Sequence, residues 1–149
     1  MHEPIRIRLD RRVRTSHHSE EEKQDKWALL VAPIDSDGVS TSREGHGPAP
    51  VQSDVTLWVT VLSPGKTLCR AMPSNEGERK AYLQVAQLSG FNQGRARGSH
   101  VRVEIGQQSV EMKEGDGVFV HAAPKEELRL TNLGGSVAEV LLFDVGLDS

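Results

Sequence analysis

From residue 55 onward the apolar side chains of this chain recur at every second position, in short runs separated by turn signals. That is the spacing of a strand with one buried face, and it leaves little room for helix. "HVRVEIG" places Val101, Val103 and Ile105 on one side, and "EELRLTNLGG" places Leu128 and Leu130 inside. "DVTLWVTVLSPGK" is a β-branched strand that ends in a turn at Pro64 and Gly65. A second strand is expected over 81–88 in "RKAYLQVAQLSG". "QSVEMKEGDG" is a strand followed by a turn, "VFVHA" a further strand, and "VAEVLLFDV" a long apolar strand near the end. No helical period appears after residue 30, and no internal repeat is visible. Many short strands at close spacing predict an all-β fold, an antiparallel sandwich or barrel.

The first third is different. "RIRLDRRVR" carries Arg6, Arg8, Arg11, Arg12 and Arg14, and "SEEEKQDK" then turns acidic. Five arginines without interleaved aromatics are a weak phosphate-binding signal and are expected to be a solvated segment. Ser19 and Glu22 have the spacing of a capping box, which predicts a short helix over about 20–26. "KWALLVAP" at 26–33 has strand length, and the Ser-, Gly- and Pro-rich stretch 34–54 is expected to be a long loop. His17, His18 and His46 are expected to be exposed.

At 149 residues the chain is expected to hold one domain, a linker-like segment at 1–26 followed by a domain over 27–149. No apolar run reaches membrane length, and no secretory leader is expected. A net charge of −3 gives no overall pull towards nucleic acid or anionic lipid. The one cysteine, Cys69, excludes an intrachain disulfide and suits a reducing, cytoplasmic compartment. It is expected to be buried and inert.

Five stretches in order, "SEEEKQDKWALLVAPIDSDG", "SDVTLWVTVLSPGKTL", "ERKAYLQVAQLSG", "MKEGDGVFV" and "AEVLLFDV", resemble the second, C-terminal cupin domain of the pirin family. The resemblance is strongest to the bacterial-type branch often named quercetin 2,3-dioxygenase, and it covers about residues 16–146. It implies a cupin-type, jelly-roll-like antiparallel barrel with a short N-terminal helix. Loops near 34–54 and 89–100 are longer than the family pattern. The family is a bicupin whose first domain binds a divalent transition metal, and that half has no counterpart in these residues.

By the same resemblance, a cupin metal site takes three His and one Glu. The region expected to supply the first ligands, "KTLCRAMPSNEGERKAYLQV", has no histidine, and Glu76 and Glu78 are expected in a solvated loop. In "EGDGVFVHAAPKEELRL", His121 stands where the family usually has proline, and Glu126 where it keeps a ligand histidine. A lone carboxylate does not select a transition metal. No metal ligand, no cofactor and no catalytic residue is therefore expected in this domain. His121, Glu126 and Glu127 are candidates for the mouth of a pocket, with Lys125 a solvated turn residue. "GRARGSHVR" offers a small basic patch of Arg95, Arg97, His100 and Arg102, with Phe91 the lone aromatic beside it, so nucleic acid is not the expected partner. No P-loop, GxGxxG or G-x-S-x-G motif is present.

Three functions fit. One is a metal-free module that packs on a second cupin domain, in cis or in trans, or on a copy of itself. Another is the non-catalytic half of a metal-dependent quercetinase-like oxygenase. The last is a small-ligand sensor using the barrel interior. A catalytic role for this chain alone is not expected.

Overall fold

The computed structural model describes residues 19–42, 45–72, 79–87 and 98–147. Two sheets face each other. The six-stranded sheet runs β2-β1-β3-β10-β5-β8, built from β1 (Ala28–Pro33), β2 (Ala49–Val51), β3 (Thr56–Leu62), β5 (Arg79–Val85), β8 (Gly117–Ala122) and β10 (Ala138–Leu147). The four-stranded sheet runs β4-β9-β6-β7, built from β4 (Thr67–Ala71), β6 (His100–Ile105), β7 (Gln108–Lys113) and β9 (Glu127–Asn132). Every pairing is antiparallel except β1 with β2, which is parallel. The all-β expectation holds.

Alternation fixes which side chains meet between the sheets. Across the six-stranded sheet, Trp58, Leu142, Leu83 and Val118 stand in one inward row. Val140 and Val85 form the next. The other sheet answers with Val101, Val103, Leu128 and Leu130, all buried. Val101, Val103, Leu128 and Leu130 face in as their period predicts. The sheets are also clasped by Asn132, which is 1% exposed. Its amide donates to the Leu62 carbonyl at 2.9 Å and the Ser136 carbonyl at 2.8 Å, and its Oδ1 accepts from Gly134 N. A buried amide so satisfied ties β9 to the end of β3.

Five expectations need correction. The capping box is present, with Ser19 N donating to Glu22 and Glu22 N to Ser19, but α1 spans only Glu20–Lys23. It stops because Asp25 adopts φ 53° and turns the chain onto β3. There Asp25 N donates to Val61 O, and its carboxylate accepts from Ser63 N and Oγ. The stretch 34–54 is not all loop, since β2 lies within it. The strand expected over 81–88 begins earlier, at Arg79, and ends at Val85; residue 88 lies outside the described residues. β4 was not expected as a strand of its own. Cys69 is exposed rather than buried, because Leu68 and Arg70 take the inward positions of β4 and leave Thr67, Cys69 and Ala71 outside.

Candidate functional site

The stretch with the expected site residues forms β8, a turn and β9. Its opening turn is held from three sides. Asp116 Oδ2 accepts from Lys113 N at 2.8 Å, Val85 N donates to Asp116 O, and Gly115 N to Val85 O. Gly115 sits at φ 87°, which favours glycine. Gly117 is required for a different reason: a Cβ there would collide with the Tyr82 hydroxyl.

Along β8 the residues alternate. Val120 and Ala122 are buried, while Phe119 and His121 point to the outer face. His121 lies across from Lys80 of β5 and is exposed. With Ile105, Gln108, Ser109, Val110 and Phe119 it borders a cleft of about 290 Å³, of mixed polar and apolar lining, between the β7 and β8 edges.

Glu126 and Glu127 lie elsewhere. They line an open depression with Glu104, Gly106 and Arg129 on the four-stranded sheet. Glu126 is a turn residue in its contacts: its Oε2 accepts from Ala123 N at 2.8 Å, and its backbone carbonyl accepts from Met72 N. Lys125 beside it adopts φ 67°, which the turn between β8 and β9 demands. His121 and the two glutamates therefore border different hollows.

Half of the expected basic patch, Arg95 and Arg97, lies outside the described residues, as do Glu76 and Glu78. The other half is paired. His100 Nε2 is 2.9 Å from Glu111 Oε2, and Arg102 Nε is 3.6 Å from Glu104 Oε2. These carboxylates reduce what the patch offers an anion.

Among the described residues, no three His, Cys, Asp or Glu side chains converge in a set able to hold a metal ion. Among the polar groups buried between the sheets, Arg79 and Asp144, 6% and 3% exposed, meet each other. Guanidinium Nε and Nη2 both donate to Asp144 Oδ1, at 3.2 and 2.7 Å. Arg70 lies on the inner side too, its guanidinium carbon 3.8 Å above the centre of the Trp58 ring. Cationic side chains are poor company for a divalent metal.

Sequence reasoning missed two features. One is the inward Arg70. The other is an outer row of the six-stranded sheet, Leu57, Phe143, Tyr82 and Phe119, one residue from each of four adjacent strands. Tyr82 packs on Phe119 at 4.9 Å and on Phe143 at 6.4 Å between ring centres. Phe119, at the strand edge, is 76% exposed, and Val145 nearby in sequence to Phe143 is 47% exposed.

No protein-family model matches the chain, and no curated protein matches it by sequence. Solved structures do resemble it. YhhW from Escherichia coli superposes with a TM-score of 0.55 at 19% identity, over 83% of this chain and 40% of that one. The structure of the bacterial pirin YhhW in complex with nickel(II) gives 0.53 at 20%, again over 83% and 40%. YhaK from the same organism gives 0.53 at 20%, over 82% and 42%. The fold is thus a cupin-type β-sandwich like that of a bacterial pirin. The chain spans well under half the length of these proteins.

Proposed function

We propose that the chain is a cupin-fold module that catalyses nothing by itself and packs on a second cupin-fold domain, in cis or in trans. The observation that carries this is the outer aromatic row ending in Phe119, 76% exposed. Contiguous apolar surface on a sheet face is costly to leave in water and marks a contact surface. A second domain suits the occupant because the pirin structures extend well beyond the part this chain matches, which is 40% of YhhW.

The test is the mass of the purified chain over a wide concentration range, by sedimentation. With its partner missing, the wild type is expected to self-associate, and Phe119→Asp to stay monomeric with an unchanged circular dichroism spectrum. A wild type that remains a clean monomer at high concentration overturns the packing role. Metal analysis bears on the rest: a near-stoichiometric transition metal in the purified chain contradicts a metal-free module. Dioxygen uptake with a flavonol by this chain alone contradicts a non-catalytic one.

A second reading is favoured by the cleft between β7 and β8. Its 290 Å³ lies near the lower end of small-ligand pockets, roughly 300 Å³. A compact ligand with an apolar body against Val110 and Phe119 and a polar group towards Gln108, Ser109 and His121 would fit that lining.

A further inference from the structure

Among the described residues, the space between the sheets holds more positive than negative charge at one end. On β4 the inward positions belong to Leu68 and Arg70. Arg70 stands beside Leu128 of β9 and reaches across to Trp58 on the opposite sheet, its guanidinium carbon 3.8 Å over the ring centre. Asp144 lies one row along from Trp58 and Leu142, opposite Thr56 and Ala81. Arg79 is bonded to Asp144 through two N–H groups. Arg70, Arg79 and Asp144 together carry two positive charges and one negative, so one positive charge is left over.

The donors are also in excess. Arg79 spends its contacts on Asp144, whereas Arg70 makes no hydrogen bond or ion pair among the described residues. The buried Trp58 Nε1 has no hydrogen-bond acceptor either. Burial lowers the pKa of Arg70, Asp144 opposes that shift, and Arg79 adds to it. A partly desolvated guanidinium over an indole, with no hydrogen-bond partner among the described residues, is a half-made site for an oxygen anion.

We propose that this end of the sandwich binds a small monocarboxylate, with Arg70 as its charge partner and Trp58 as the platform on which the guanidinium rests. The leftover charge matches a monoanion. The planar fork of the guanidinium matches a carboxylate, which it can hold through two parallel hydrogen bonds. Arg79 is held by Asp144 and does not compete for the ligand. The proposal does not depend on the outer face of the sheet or on any partner.

Trp58 supplies the readout. In a Trp27→Phe background it is the only tryptophan, and Trp27 Nε1 also lacks an acceptor, so that change removes no hydrogen bond among the described residues. Its emission is followed while sodium acetate, sodium benzoate or sodium phosphate is added, against sodium chloride at matched ionic strength. Both carboxylates are expected to give a saturable change and chloride none. Arg70→Met is expected to weaken binding by about tenfold or more, the scale of one charge-assisted pair. Arg129→Gln, on an exposed position of the same sheet, is expected to leave it unchanged. Should Arg70→Met not fold, Arg70→Lys takes its place: it keeps the charge, loses the fork, and is expected to bind several-fold more weakly. The proposal is overturned by no saturable response to either carboxylate, by equal binding in the folded Arg70 variant, or by phosphate binding more tightly than both.

Discussion

Arg79 and Asp144 form an ion pair buried between the sheets. Both are almost wholly buried, and Asp144 Oδ1 takes two guanidinium N–H groups. Desolvating two charges cancels most of what their attraction gives, so the intact pair adds little net stability. Removing one partner is another matter, because the other charge is left in the interior. Asp144→Ala is expected to cost about 3–5 kcal/mol in urea unfolding. The double change Arg79→Met with Asp144→Leu is expected to recover most of that loss. A double variant as unstable as the single one would show that the pair contributes through more than its charges. None of this could be foreseen from "RKAYLQV" or "FDV", since partners 65 positions apart meet only once β5 and β10 are aligned. Arg70 was hidden for a related reason. Arginine is seldom an inward residue, so "TLCRA" has no readable buried face, and Cys69 was given the place that Leu68 and Arg70 take.

The elements legible in the sequence are those whose hydrophobic period is clean. β6, β9 and β10 were plain because the inward Val and Leu alternate with polar neighbours or run on as one apolar stretch. β2 was not, because it is three residues, contains Pro50 and lies inside a polar stretch; as an edge strand it needs few of its own N–H groups. α1 was legible in its cap but not in its length. What ends it is a contact 38 positions away, between Asp25 and Ser63. That contact predicts a pH dependence. The Ser63 backbone N–H holds the Asp25 carboxyl below its ordinary value of 3.8, burial opposes this, and the Ser63 hydroxyl and Lys66 add to it. A carboxylate with a lowered folded pKa stabilises the fold above its unfolded value, and the benefit fades as pH falls through the folded one. The melting temperature of the wild type is therefore expected to exceed that of Asp25→Asn at neutral pH. The gap should close in acid below pH 3.8. A gap that is constant from neutral to strongly acid solution would mean that the carboxylate's charge plays no part.

At the scale of the molecule, the two sheets differ in how they are buttressed. In the six-stranded sheet β10 is central, paired along most of its length with β3 on one side and β5 on the other. Its inward residues Ala138, Val140 and Leu142 are at most 1% exposed. β2 lies at one edge of that sheet, held by three register pairs to β1. β7 is an edge of the other sheet, and five of its six residues are exposed. Amides open by local or global unfolding, and segments with few buried contacts open first. Native-state hydrogen exchange is therefore expected to be slowest in β10, β5 and β3, whose amides should exchange only through global unfolding. β9 and β6 should follow closely, because each is flanked in the smaller sheet and carries fully buried Leu128, Leu130 and Val101. β2 and α1 should exchange earliest. The outer face gives a second reading in the same experiment. If the purified chain self-associates through Phe119, protection at β8 should rise with protein concentration while β2 stays unchanged. Concentration-dependent protection confined to β2, with β8 indifferent, would place the contact on the opposite edge and remove the outer aromatic row from the interface.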